Sequence, residues 1–519
     1  MTDADPEPEG SEWRRLDARM LLVHPVQEAV RFLPALLVVF VTGRSSDRSP
    51  WWDVAALAVI VGIGVSRWFT TRYRVGPGRI ELRSGLLQRT ELTTPADRVR
   101  TVDITATLLH RVLGLARVEV GTGSGGLTER LVLDALDAGA AQRLRDEVLR
   151  SAGRARAARA DAEAQADVDA ETVPAADTLA AAQVVPGPAS DLPPAPEREL
   201  LRFDPAWARY APLTVSGLAG LAAIWGFAMQ YLLPTVEDIE TTGRWIEGLG
   251  LLAAGVGLLA GGVAIAAAAV AAYLIGNWQL RVTRHPAGTI EVTRGLFTRR
   301  ATSIEEARLR GVELARPLPL RLAGAARLRA VTTGLNPLEQ GSSQLCPPAP
   351  VAVVERLAAD VVEDPTALTV PLRAHGAGAR RRRFTRAVVP ALVLVGLAAI
   401  AVARQWAPPV VLAVSVLPLL VAPWLARDRY AALGHLLTPR HLVAQAGSLL
   451  RRRDVVERAG TVSVLVRQSL MQRRVGVATT VLATGAGRWS YPVLDLPAAE
   501  ADALAAELVP EARQFLVGA

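Results

Sequence analysis

Ile80-Glu-Leu-Arg-Ser-Gly85-Leu-Leu87 returns 210 residues later as Ile290-Glu-Val-Thr-Arg-Gly295-Leu-Phe297. The same shift, without a gap, carries Arg98-Val-Arg-Thr-Val102 onto Arg308-Leu-Arg-Gly-Val312. It also carries Arg111-Val-Leu-Gly114-Leu-Ala-Arg-Val118 onto Arg321-Leu-Ala-Gly324-Ala-Ala-Arg-Leu328. A shift of 362 gives a fainter third version through Leu442, Gly447, Leu449, Arg451, Val464, Arg473-Arg-Val-Gly476-Val-Ala478 and Thr484-Gly485. One unit is therefore used three times.

Within each copy the apolar residues alternate, as Ile80 with Leu82 and Val118 with Val120, in short runs separated by Gly or Pro. That is the period of half-buried strands, not of helices. Each copy then closes on an amphipathic stretch: residues 138–149 after Asp137, 351–362 after Pro350 and 498–508 after Pro497. Apolar positions three and four apart, such as Leu144, Val148 and Leu149, predict a helix laid on the sheet. The unit reads as a small antiparallel barrel or sandwich with a C-terminal helix.

Tyr73-Arg-Val75 before Ile80, the Gly85-Leu-Leu turn, Arg98-Val99 with Val102, and Gly114-Leu-Ala116 resemble the bacterial pleckstrin-homology (PH) family of YdbS/YdbT-like membrane proteins. The resemblance implies a seven-stranded barrel capped by a helix, in membrane-tethered proteins of largely unknown biochemical role. Its residues are mostly packing and turn residues, so they speak for the fold rather than for chemistry. In this alignment Trp278 takes the place of Tyr73 in copy two, which also has the Pro-rich edge Cys346-Pro-Pro-Ala-Pro350. Copy three has His435 there and Ser448 after its Gly. These departures suggest that the copies do not share one ligand.

At 519 residues, half of them apolar, the chain has room for three or four domains and is unlike an ordinary soluble protein. The single cysteine, Cys346, excludes an intrachain disulfide and fits a reducing compartment. A net charge of +8, carried almost wholly by Arg, fits anionic lipid, nucleic acid or an Arg-rich codon bias. Residues 1–10 are acidic and lack a basic n-region, so no signal peptide is expected.

Apolar runs precede each copy. Residues 30–43 and 54–69 form the first pair, 213–234 and 249–275 the second, and 387–403 and 405–426 the third. The second pair carries no charge, and Gly255, Gly257, Gly261 and Gly262 leave a smooth surface for helix packing. The first run, with Arg31 at its entry, reaches the length of a span only if it begins near Val23. The expected fold is a mixed membrane protein: three transmembrane α-helical hairpins (six helices) alternating with three cytoplasmic PH-like β-barrel/sandwich domains. Its expected order is a disordered N-terminus (1–22), hairpin 1 (23–70), domain 1 (71–150), a flexible linker (151–199) and hairpin 2 (200–276). Domain 2 (277–364), a basic linker (365–386), hairpin 3 (387–426) and domain 3 (427–519) complete it.

Cations set topology. The short connectors within hairpins are acidic or nearly neutral, whereas Arg67, Arg72, Arg74, Arg202, Arg209, Arg281, Arg284, Arg380 to Arg383, Arg427 and Arg429 crowd the other ends. Both termini and all three domains are thus expected on the cytoplasmic side of the plasma membrane.

Motifs that carry chemistry are sparse. Six His are scattered, and only His435 and His441 come loosely near metal spacing, so ordinary surface or turn histidines are expected. Cys346 has no neighbouring His to activate it. Gly121-Thr-Gly123-Ser-Gly125-Gly126 lies between two strand-like runs, so it reads as a hairpin loop rather than a phosphate cradle. No catalytic, cofactor or metal residues are assigned. Arg380, Arg381, Arg382, Arg383, Arg451, Arg452 and Arg453 are the candidates for contact with anionic lipid. The leading expectation is a non-enzymatic scaffold whose partners are the bilayer, a protein or another copy, and anionic lipid, in envelope homeostasis. A transporter component with the domains as gates is the alternative, weakened because the four clearest runs hold no ionisable residue. Nucleic-acid binding lacks aromatics interleaved with the basic stretches.

Overall fold

The structure is a computed structural model that describes residues 14–15, 19, 72–76, 79–84, 90–95, 101–121, 131–145, 197–214, 217, 219, 222, 247–286, 288–333 and 343–509. Outside these lie hairpin 1, most of the run 213–234, nearly all of the linker 151–199, and the glycine loop beyond Gly121.

The first copy forms β2 (Arg72–Gly76), β3 (Arg79–Ser84), β4 (Thr90–Pro95), β5 (Thr101–Ala106), β6 (Leu115–Gly121) and β7 (Leu131–Asp137), with the short β1 (Arg14–Arg15) pairing to β2. After β8 (Arg198–Arg202), the second copy forms β9 (Arg281–His285), β10 (Thr289–Arg294), β11 (Arg299–Glu305), β12 (Leu309–Pro317), β13 (Ala325–Thr332) and β14 (Gln344–Pro350). The third forms β15 (Gly434–Leu437), β16 (His441–Ala446), β17 (Leu450–Glu457), β18 (Thr461–Arg467), β19 (Val477–Thr484) and β20 (Ser490–Pro497).

Strand register makes the three copies one unit. Ile80 faces Thr94, Ile290 faces Ile304 and Leu442 faces Val456, each pair displaced by the repeat spacing. Val102 faces Val120, Val312 faces Ala330 and Val464 faces Leu482 in the same way. The third, faint copy is thus the same structure. Its sequence kept the turns: Gly114, Gly324 and Gly476 have φ of +71°, +71° and +67°, a left-handed conformation that costs glycine least. Each carbonyl there accepts from the first residue of the closing helix, Ala138, Val351 or Ala498, at 2.9, 3.0 and 3.1 Å. The expected helices at 351–362 and 498–508 are Val351–Val362 and Ala498–Leu508. Register also corrects one alignment: His435 does stand where Tyr73 stands, but in copy two that place belongs to Val282, because the β9–β10 turn is one residue longer.

Each copy is split between sheets. In one sheet β5, the first strand of a β5–β6–β7 run, pairs with β11, so the order is β7-β6-β5-β11-β10-β9-β8. Another sheet repeats the join one copy later, with β12 pairing to β17 in the order β14-β13-β12-β17-β16-β15. The seams share a register, Asp103 opposite Thr302 and Glu313 opposite Asp454. Copy three, described throughout residues 434–508, has six strands where the resemblance implied seven. A single turn, Arg458–Gly460, leads from β17 straight into β18, and the outer edge of β17 is already occupied by β12. The chain accordingly divides into two compact units, Met1–Glu199 with Arg281–Glu306, and Leu200–Leu280 with Ala307–Ala519, whose boundary cuts the second copy in half.

The halves of copy three still share a core, in which Leu442, Ala444 and Val456 of β16 and β17 meet Leu482, Tyr491, Val493 and Leu496 of β19 and β20 under Ala501, Leu504 and Leu508.

Three described helices are long and apolar enough to cross a membrane: Gly255–Asn277, Gly376–Ala403 and Pro409–Ala431. They answer to the expected runs 249–275, 387–403 and 405–426; the other three of the expected six fall largely or wholly outside the described residues. The last two form a hairpin that turns at Gln405, whose φ is +58°. Small residues, Ala391, Ala398, Ser415, Ala422 and Ala426, are buried, while Leu397, Leu417 and Leu420 face outward. That inverted pattern suits a lipid environment.

Candidate functional site at the foot of the third hairpin

A membrane helix transmits nothing to a β module unless its end is fixed, and here both helices of the third hairpin end in buried ion pairs. The entry helix begins at Gly376, so the basic stretch Arg380 to Arg383 is helical and continuous with the span. It comes close to β19: a Cβ on Gly378 would lie 2.6 Å from the Val475 carbonyl oxygen. One turn on, Arg382 and Arg383 reach the carboxylate of Asp495 on β20, whose side chain is wholly buried; the Arg383 pair measures 2.7 Å. Gln472 Nε2 donates to the same carboxylate at 3.0 Å. Asp495 itself has φ +58°, which turns its side chain out of the strand alternation and toward the helix.

Two histidines lie under this helix start. His375 Nδ1 is 2.7 Å from the Leu494 carbonyl oxygen, which can only accept, so Nδ1–H donates. Its Nε2, 3.1 Å from His435 Nδ1, is then left to accept from His435. Burial lowers the pKa of both rings, with His435 pushed down to about 4 by burial, His375 and Arg373. Both are neutral at physiological pH.

The return helix ends on Asp428, which gathers Arg321 at 3.1 Å from copy two and Arg451 at 2.9 Å from copy three. Ser448 Oγ donates to it at 2.6 Å. Asp364 makes a second tie between these copies. It takes His441 Nδ1–H at 2.9 Å and Thr438 Oγ1–H at 3.0 Å. Burial opposes its ionisation, yet hydrogen bonds from Thr366, His441, Thr438 and the Ala367 N–H hold its pKa down at about 2.

The candidate arginines thus divide. Arg380 and Arg381 are exposed, Arg380 stacked 6.0 Å from the Phe384 ring centre. Arg382, Arg383 and Arg451 are turned to internal carboxylates. Arg452 lies 3.8 Å from Glu313, and Arg453 donates to the Ala367 carbonyl at 2.9 Å. Arg451, which in the sequence follows a β-turn away from any span, is folded against the end of one.

The histidines correct a sequence expectation: His110, His375, His435 and His441 are all at most 5% exposed rather than on the surface. No local signal distinguished His375, His435 and His441, whose partners lie 60 to 119 residues away in the chain, whereas His110 bonds Thr107 three residues before it. Asp495 had a weak signal, as a lone acid in the apolar run Tyr491-Pro-Val-Leu-Asp-Leu-Pro497. Cys346 is fully buried in β14, and burial pushes its thiol up to about 12, far from a reactive thiolate. Among the described residues no group of His, Cys, Asp and Glu is arranged to hold a metal.

Residues 29–152 and 387–511 match the bacterial PH domain family, in each case across an apolar pair and the β module after it. The chain is similar to the UPF0699 transmembrane protein YdbT of Bacillus subtilis (strain 168), 23% identical over 148 residues. That match covers 27% of this chain and 30% of the relative, so the chain spans less than a third of the relative's length. No solved structure matches. Residues 29–152 and 387–511 are thus bacterial PH-domain segments, in a chain with three described helices long and apolar enough to cross a membrane.

Proposed function

We propose that this protein is a non-enzymatic scaffold of the plasma membrane, in which PH-like modules are held rigidly at the inner leaflet to bind anionic lipid, a protein or another copy of the chain. The observation that carries the reading is the unbroken helix Gly376–Ala403, which passes from a foot clamped to Asp495 into an apolar span. A clamp of this kind fixes how a module is oriented to the membrane, which is what a scaffold needs and a solvent-borne enzyme does not. The arginines at that foot set both termini and the modules on the cytoplasmic side. Arg380 and Arg381, the two exposed members of the cluster, are the cations left to meet anionic head groups, and the modules serve envelope homeostasis.

Reporters fused after Ala519 and inserted at Trp406 test this. A cytoplasmic reporter active only after Ala519, and an external one active only at Trp406, are expected. The opposite assignment, or a chain that leaves the membrane fraction on carbonate washing, overturns it.

A further inference from the structure

The first strand of each copy's second sheet, β5, β12 or β18, has an edge made to pair with β11 or β17 type strands. Two such pairings, β5 with β11 and β12 with β17, occur within the chain. One edge and one mate remain: among the described residues β18 pairs through β19 alone and β4 through β3 alone. The repeat spacing makes β4 the counterpart of β11 and β17, since Ile80–Thr94, Ile290–Ile304 and Leu442–Val456 are equivalent pairs.

Burial at one position shows that β18 is an unfilled seam. Asp103 and Glu313, at the centre of the filled seams, are each 6% exposed, whereas Leu465, at the same position of β18, is 58% exposed. Val462, near the start of the same strand, is exposed as well. The short helices that follow do not mark the difference, because Leu108, Leu322 and Leu470 are exposed in all three copies. Nor does the irregularity at Thr461/Ser463 guard the edge: the same shift occurs at Leu309/Gly311, where β12 pairs with β17 all the same. An exposed strand with apolar side chains and unpaired backbone groups is a template for another strand. Lipid tails offer those groups no hydrogen bonds.

We propose that β18 of one chain pairs antiparallel with β4 of a second copy, in the register of the internal seams. Carrying the seam register across by the repeat spacings sets Leu465 opposite Leu92, Val466 opposite Glu91 and Arg467 opposite Thr90. Where the internal seams place an acid, this one places a leucine on each side, which suits an interface that must assemble from separate chains. The contact is head to tail, so it builds a ring or an open row along the membrane. This names a partner for the modules and rests on the scaffold reading only in setting β4 and β18 on one side of the bilayer.

Two full-length chains with different affinity tags, one carrying Leu92→Cys and the other Leu465→Cys, are co-expressed and oxidised in membranes. Directly opposed strand positions lie within disulfide reach, and Cys346 is buried. The expected product is a disulfide-linked pair bearing both tags, at least fivefold more abundant than with Val464→Cys, which points to the other face. Leu465→Lys should convert the native oligomer to single chains. No mixed cross-link while both chains sit in the membrane overturns the proposal. So does a Leu92→Cys/Leu465→Cys double variant that closes only within one chain, or labelling of Leu465→Cys by a lipophilic probe without any cross-link. Chains recovered in the soluble fraction count instead against the membrane reading, and the cross-link is scored there separately.

Discussion

Glu313 stands directly opposite Asp454 across the β12–β17 seam, both carboxylates buried, and Arg488 holds the two, at 3.0 Å from Glu313 and 2.5 Å from Asp454. Like charges opposite one another in a sheet repel, so the seam between copies two and three depends on a cation supplied from the turn before β20. Removing one partner of a buried ionic group typically costs about 3–5 kcal/mol. Because Arg488 is about one-third exposed, solvent screening takes the cost below that range, and Arg488→Met is expected to destabilise the protein by roughly 2–3 kcal/mol. Thermal unfolding of the full chain in detergent measures it.

Burial, with Glu313 adding to it, raises the Asp454 pKa to about 6 from the ordinary 3.8 despite Arg488. The folded state therefore binds more protons than the unfolded one between about pH 4 and 6, and stability falls as pH rises through that window. Asp454→Asn should flatten this part of the profile. A variant with the same slope as the parent contradicts the assignment.

The histidine pair acts in the opposite sense. His435 titrates at about 4 in the folded protein against 6.5 when unfolded, so the unfolded state takes up more protons between those values. Its stability is present above about pH 6.5 and is lost as pH falls toward 4. His435→Gln should weaken the acid sensitivity of the hairpin 3 foot, read as protease release of the module between pH 6.5 and 4.5.

At the entry helix, Asp495→Asn separates charge from backbone. Asn tolerates a positive φ as Asp does, and it still accepts from Gln472, but it leaves Arg382 and Arg383 without their counter-ion. We expect a loss of about 3 kcal/mol or more, against less than about 0.5 kcal/mol for Arg381→Gln on the exposed side. Equal effects of the two substitutions would show that Asp495 is not the clamp.

Anionic lipid should be held by Arg380 and Arg381. Each cation near an anionic surface contributes about 1 kcal/mol, so Arg380→Gln/Arg381→Gln should reduce retained phosphatidylglycerol on the purified full chain by roughly tenfold or more. Native mass spectrometry counts the bound lipid. Arg452→Gln, on the β12–β17 seam, should leave it unchanged.

Much of this protein is decided by local sequence. The alternation around Ile290 makes a strand, because β10 buries Ile290 and Val292 on one face. Gly114, Gly324 and Gly476 make the same left-handed turn, because other residues meet a steric penalty there. Apolar runs such as 249–275 make spans, because length and hydropathy suffice for a bilayer. All of these are properties of neighbours in the chain. The tertiary structure alone decided which strands pair. A strand edge offers the same backbone N–H and C=O groups whatever its side chains, so nothing in β11 announces that it joins β5 of the preceding copy. For the same reason the seven lipid-candidate arginines looked alike. Only when Asp428, Asp495 and Glu313 were brought in from distant strands and helices did most of them become internal partners, leaving Arg380 and Arg381 exposed.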